Sequence, residues 1–518
     1  MRFSESRDAR LIFSGARPQK VTSRLASARA APNNRRMASF EVQALGARPA
    51  AMTASLHRAA LGGQGLRALS RILITLLVLV AVAARPAVAQ SILRDAETEA
   101  LLQDMMDPIT VAAGLRPGQV RVHLLSDRSI NAFVAGSQDI YVHSGLIEAA
   151  DSANEVQGVL AHELGHIMGG HAIRVGEGAK VATGISLLSL LLGAAAMAAG
   201  GADAGMGIMM AGQQAALGKF LAFSRVQEAT ADAAGAQYLS TAGISGKGSL
   251  DFFKKLQNIE FRYAIKQDDD QAYGRTHPLS GDRIQALREV YVVDPAWDKP
   301  SNPDIENRFK RVKAKLVGYI AEPAKTLRLY PETDRCVPAH YARAYAWHKS
   351  AYPEKALAET EALLKADPED PFFLELEGQV LLESGRPREA IAPLRKAVAN
   401  SRSAPLIAGT LGHALIATED PANYAEAEEV LKTAVALDNE NPFAWYQLGI
   451  VYAARGDQAR AALASAERYS LEGGQPTLAL RNAEMAMQGL PQGSSDWIRA
   501  QDISLVARAE VERTRKRR

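Results

Sequence analysis

Between residues 344 and 461 small side chains recur with a fixed beat, and this rhythm restricts the possible folds more than any other feature of the chain. Gly378 and Gly412 stand 34 positions apart, Ala344 lies 34 before the first, and Gly449 lies 37 after the second. A second series, Ala356, Ala390, Ala427 and Ala461, follows the same steps of 34, 37 and 34, the three extra residues falling in "TEDPAN". A small residue is needed at such positions where paired helices cross closely. Trp445, Leu448, Gly449 and Tyr452 occupy the remaining signature positions of the fourth unit.

This pattern resembles a tetratricopeptide array. The resemblance implies an all-α solenoid over 336–518, at least four helix pairs stacked side by side, with a concave face that binds peptides or partner proteins.

The N-terminus has a different character. Up to Ala89 the chain carries 14 Lys/Arg against 3 Asp/Glu, and the remainder carries 46 against 54. The basic surplus is confined to this leader, so no nucleic-acid partner is expected. Arg67 and Arg71 precede the apolar run "ILITLLVLVAVAA" (72–84), and Ala87-Val88-Ala89 fits a small-x-small cleavage rule. Residues 1–89 are therefore read as an N-terminal extension and secretory signal peptide, with translation starting at Met52 or Met37 as an option. Thirteen apolar residues fall short of the roughly 20 that a membrane span requires. The mature chain is expected to begin at Gln90, in the periplasm. Cys336 is the only cysteine, which excludes an intramolecular disulfide and a cysteine-ligated zinc site; a buried structural thiol is expected there.

Between these parts, 90–290 mixes strand and helix patterns, and 291–335 reads as a helical linker. "RVHLL" (121–125) and "DIYVHS" (139–144) are strand-like, with "INAFVAGSQ" between them as a turn-containing connection. "DSANEVQGVLAHELGHIM" (151–168) reads as a helix, with Ser152 and Glu155 as a capping box. The long apolar stretch 181–223 has two readings, a pair of buried or groove-covering helices, favoured by its Gly and Ala content, or peripheral membrane contact.

The chemistry is carried by "GVLAHELGHIMGGHA" (158–172). On a helix, His162 and His166 share one face and can offer two imidazole nitrogens to a single cation. Glu163 is placed to act on a water beside that cation, and HExxH in this context predicts a zinc site, one Zn²⁺ per subunit. His171 follows His166 by five residues; one residue off the six-residue spacing turns a helical side chain by about 100°, so it is read as a helix-end or surface histidine. A carboxylate on a second helix is the better third ligand. "SRVQEATADAAGAQYL" (224–239), opening on Ser224 and Gln227 as a capping pair, places Glu228 and Asp232 on one face. Glu228 is expected to ligate, and Asp232 to fix the tautomer of a metal-bound histidine.

HExxH followed by a distant ExxxD helix is the gluzincin pattern. With "NAFVAGSQDIYVHSGLI", "EATAD" and "THPLSGDRI" (276–284), the chain resembles the family that includes the CAAX prenyl protease and the bacterial heat-shock membrane protease. The resemblance implies an α+β zincin-like metalloprotease domain, mainly helical with a small sheet, ahead of the solenoid. It also implies a periplasmic endopeptidase for misfolded or stalled outer-membrane proteins, its repeats docking clients or the β-barrel assembly machinery. A chaperone or adaptor that works through its repeats with little proteolysis is the alternative. Ile140, Tyr141, Val142 and His143 are expected to offer a sheet edge to an extended substrate, unless that strand is interior. His277 has three readings: an oxyanion stabiliser, a regulatory fourth zinc ligand, which the resemblance favours, or a loop-fixing histidine before Pro278.

Overall fold

The computed structural model describes residues 2–3, 91–136, 138–199, 201–263, 277 and 281–517. Apart from Arg2 and Phe3, the expected leader lies outside the described residues, as do its cleavage site at Ala89 and Gln90.

The protease-like part is built on a five-stranded sheet in the order β1-β2-β3-β5-β4. Its strands are β1 (Arg2–Phe3), β2 (Ile92–Arg94), β3 (Arg121–Leu125), β4 (Ala132–Ala135) and β5 (Asp139–His143). β3 and β5 run parallel with Val122 opposite Ile140, and β4 returns antiparallel to β5 with Phe133 opposite Tyr141. The expected connection between the two predicted strands thus contains a strand of its own. Gly136, in the left-handed region at φ 75°, starts the reversal into β5.

This order corrects the expectation for Ile140 to His143. β5 is an interior strand whose hydrogen-bonding edges are both taken, by β3 and by β4, so it cannot receive a substrate strand. Ile140 and Val142 point into the core, and Tyr141 stacks between Phe133 and His123. Among the described strands the outer edges are those of β4 and of the two-residue β1, and β4 is the edge next to β5.

Helices α1 (Ala96–Ala112), α2 (Ser144–Ala149), α3 (Ala153–Met168), α4 (His171–Ala198), α5 (Ala202–Ala242), α6 (Lys247–Tyr263) and α7 (Gly281–Val292) complete this part. α3 starts as predicted: the Ser152 hydroxyl accepts from Glu155 N–H, and Glu155 accepts from Asp151 N–H. Val156, Val159, Leu160 and Leu164 bury against Leu101, Met105, Phe252 and Phe253.

α5 departs from the reading. It runs unbroken for 41 residues, so Ser224 is not a cap but a mid-helix residue. No Gly-Pro or Pro signal interrupts 204–240, and a capping pattern starts a helix only where something has ended the previous turn. Nor are α4 and α5 buried over 181–218: Leu188, Leu191 and Met210 are 58%, 69% and 69% exposed.

α8 (Pro303–Ile320) and α9 (Pro323–Leu329) occupy the expected linker, yet α8 is part of the core. Phe309, Val312 and Leu316 pack with the protease cluster. Lys315, 1% exposed, holds Asp95 at 2.5 Å and Glu97 at 3.4 Å, while Tyr341 of the first repeat donates to Glu97 at 2.6 Å. A buried ammonium is tolerated only with such compensation; the Lys315 contacts tie α8 to the start of α1, and the Tyr341 bond ties α1 to the first repeat.

Ten helices follow, from α10 (Val337–Lys349) to α19 (Ser495–Arg517), as five antiparallel pairs. Six of them, beginning at Pro353, Pro371, Pro387, Pro405, Pro442 and Pro476, open with proline, whose missing N–H costs nothing in the first turn. The small positions are explained by contact: a Cβ on Gly378 would meet Leu394 at 2.4 Å, and one on Gly412 would meet Leu431 at 2.6 Å. Ala356, Ala390 and Ala427 are fully buried. Cys336, expected to be buried, is exposed just before α10.

Candidate metal centre

The centre forms where α3 crosses α5. Gly165, inside the HELGH run, makes this approach possible: a Cβ there would lie 2.5 Å from the Ala231 carbonyl oxygen. Around this contact the crossing brings His162 and His166 of α3 against Glu228 and Asp232 of α5.

The donor atoms converge. His162 Nε2 and His166 Nε2 are 3.1 Å apart, and Glu228 places Oε2 3.4 Å from the first and Oε1 3.4 Å from the second. His277 adds Nδ1 at 3.3 Å from His162 Nε2 and 3.2 Å from both Glu228 oxygens. All four residues are buried. Donors sitting about 2.0–2.1 Å from a tetrahedral zinc are spaced roughly 3.3 Å from one another, and the measured separations of 3.1–3.4 Å match that edge. Three imidazoles and a carboxylate are also the donor types zinc prefers, so the residues present fit the ion.

Three of the four donors are held from behind. Asp232 Oδ1 is 2.9 Å from His162 Nδ1, the contact expected for fixing its tautomer. Arg283 of α7 donates to both Asp232 oxygens, at 2.7 and 2.9 Å, and reaches Glu228 at 3.0 Å. Arg283 lies in the "THPLSGDRI" motif but was given no role there; its charge is the counterweight two buried carboxylates require.

His171, expected as a helix-end or surface histidine, does stand at a helix end, as the first residue of α4, but not on the surface. It is buried, with Nδ1 2.9 Å from His166 Nδ1 and Nε2 3.2 Å from Thr230 Oγ1. It does not join the donor cluster; it holds the outer nitrogen of His166. Gly170, at φ 63°, explains why helical extrapolation failed: α3 ends there, and a new helix starts in another direction.

Glu163 is fully buried, and neither of its oxygens has a hydrogen-bond partner among the described residues; His277 Nε2 stands 3.5 Å from Oε1. Burial pushes its carboxyl above the usual range, against the pull of the His277 and His162 charges. Burial disfavours charge on His162 too, but Asp232 and Glu228 prevail and take its imidazole up to about 10. His166, desolvated and beside His162 and His277, is pulled down to about 2. Burial would raise Glu228, yet hydrogen bonds and charge from His162 and His277 hold it far below the carboxylate range.

Residues 93–291 match the profile of Peptidase family M48. A putative β-barrel assembly-enhancing protease of Vibrio cholerae is 27% identical over 49% of this chain, which spans about half (52%) of that relative. The β-barrel assembly-enhancing protease of Yersinia pestis is 26% identical over 68% of this chain and 71% of its own length. The metalloprotease LoiP of Escherichia coli is 34% identical over 35% of this chain and 65% of its own. Among solved structures, the tetratricopeptide protein YrrB aligns at 21% identity and a TM-score of 0.28, covering 34% of this chain and 91% of that one.

Proposed function

From the premise that residues 93–291 are a zinc metallopeptidase domain of family M48, we propose that the protein is a periplasmic endopeptidase of gluzincin type. Its clients are misfolded or stalled outer-membrane proteins, and its repeats dock them or the assembly machinery. The observation that carries the peptidase reading is the convergence of His162, His166 and Glu228 beside a buried Glu163 whose oxygens have no hydrogen-bond partner among the described residues. The client class rests on the names of the relatives.

His162, His166 and Glu228 hold the zinc, which when bound supplies a Lewis acid to polarise a peptide carbonyl and acidify water. Glu163 does the proton work. Its desolvated carboxylate accepts the proton of the attacking water and returns it to the leaving amine, a task suited to a carboxyl whose affinity for protons is raised. Asp232 keeps His162 aimed, and His171 keeps His166 aimed. An extended client adds to the open edge of β4, its backbone pairing with Ala132–Ala135.

His277 is read as a regulatory fourth ligand. With its Nδ1 among the donors the cluster has the closed composition of a structural zinc site, whereas a catalytic one keeps a position open. His277 must withdraw before water and substrate enter. This resting state also favours the second reading, a client-holding adaptor that cuts rarely.

Glu163→Gln tests the peptidase reading. The variant is expected to retain zinc and lose cleavage of casein and of unfolded outer-membrane protein. Cleavage at the unaltered rate by the purified variant overturns it.

A further inference from the structure

Beyond the metal centre, the most unusual surface is the outer part of the α4–α5 pair. From Val181 to Ala199 there are 19 residues without a charge, and from Ala204 to Gly218 another 15. Among the described residues of 181–218 only Ser189, Gly193, Gly205 and Ala216 are buried, while Leu187, Leu188, Leu190, Leu191, Leu192 and Met210 are all more than half exposed. The exposure runs around the whole hairpin, not along one stripe. A helix apolar on every side belongs either inside a protein core or in lipid, and this pair lies in no core.

The two helices meet through small residues. A Cβ on Gly193 would clash with the Gly205 carbonyl at 2.7 Å, and one on Gly212 with Ser189 Cβ at 1.9 Å. Among the described residues one polar side-chain pair bridges the two helices, Ser186 Oγ to Gln213 Oε1 at 3.4 Å, and Ser189 Oγ turns back to the Ser186 carbonyl at 2.9 Å. Close backbone approach at Gly, Ala and Ser, with polar groups turned towards the partner helix, is how helices pair without water to drive them together.

Length and charge identify what surrounds the hairpin. Nineteen residues rise about 28 Å, close to the roughly 30 Å hydrocarbon core of a bilayer. Gly178 faces Phe223 and Ser189 faces Gly212, so Lys180 and Lys219 stand at one level, with Arg174 and Arg225 below them. The acidic Asp203 is at the tip. A basic collar at one end of a bare apolar rod suits anionic headgroups. A soluble protein partner would have to enclose all faces of both helices.

We propose that residues 181–218 insert into a phospholipid bilayer as an antiparallel helical hairpin, with Lys180 and Lys219 among the near headgroups and Asp203 at the far interface. Glu228 stands nine positions after Lys219 in α5, which sets the metal centre about 14 Å above the headgroup level along that helix. The centre then meets chains at the membrane face, whether it cuts or only holds them.

The test uses the full chain with Cys336→Ser and a single new cysteine, Leu191→Cys or Ala182→Cys, labelled with an environment-sensitive nitrobenzoxadiazole dye. Vesicles of phosphatidylethanolamine and phosphatidylglycerol carry nitroxides on the headgroup or deep in the acyl chain. At 191 the dye is expected to shift to the blue and to be quenched several-fold more by the acyl nitroxide. At 182 the headgroup nitroxide is expected to quench more. Because the dye sits on the hairpin, an apolar leader elsewhere in the chain cannot produce this signal. No shift at 191, stronger quenching there by the headgroup label, or loss of the signal in high salt overturns the proposal. Zinc content of the same sample reports on the metal centre separately.

Discussion

His277 and His162, 115 positions apart in the chain, face each other with Nδ1 3.3 Å from Nε2. A donor at that distance from one ligand and 3.2 Å from the Glu228 carboxylate stands where a fourth ligand belongs. His277→Ala therefore opens the site. The expected outcome is an increase in casein cleavage of several-fold with zinc retained on the remaining donors. Unchanged or lower activity at full zinc occupancy contradicts the off-state.

His171 gives a second prediction. Replacing it with Phe keeps a ring in place but removes the contact to His166 Nδ1. Removal of a partner behind a metal ligand typically costs about 10–100-fold in affinity. Competition with a chelator should show a loss in that range, with the fold intact by circular dichroism; wild-type affinity would leave His171 a packing residue.

Proton balance gives a third. With its pKa raised to about 10, His162 is protonated at neutral pH while the site lacks metal. Its stabilising contribution to the metal-free protein is fully present below the unfolded value of about 6.5 and is lost as pH rises through about 10. Zinc competes with that proton, so uptake near neutral pH should release about one proton per ion. Calorimetric titration in two buffers of different ionisation enthalpy measures it, and identical heats in both would refute the assignment.

Gly165 gives a fourth. Alanine there drives its methyl group against the Ala231 carbonyl and forces α3 from α5. Overpacking of this kind costs about 1–3 kcal/mol, and it separates His162 and His166 from Glu228. Lower thermal stability together with weaker zinc binding is the expected pair of effects; loss of neither would show that the helices do not meet here.

Much of the centre was legible because it is local. HExxH, the Ser152 cap and the Glu228–Asp232 pair each depend on spacing within one helix, and spacing is written in the chain. The repeat period was legible for the same reason. Strand order was not, because pairing of β5 with β3 and β4 is a non-local choice among apolar segments of similar composition. The Ser224 cap failed because the local pattern says where a helix can begin, not whether the preceding one has stopped. The contact of His171 with His166 was missed because Gly170, with its left-handed backbone, resets the direction that helical periodicity carries forward. Arg283 stood in a recognised motif, but only the fold reveals that it neutralises two carboxylates from another helix.

X-ray absorption at the zinc edge, on purified protein of measured metal content, tests the central claim most directly. One zinc per chain is expected, with a light-atom shell of three imidazoles and one carboxylate that drops to two imidazoles in His277→Ala. Protein without bound zinc, or a ligand shell that His277→Ala leaves unaltered, would contradict it.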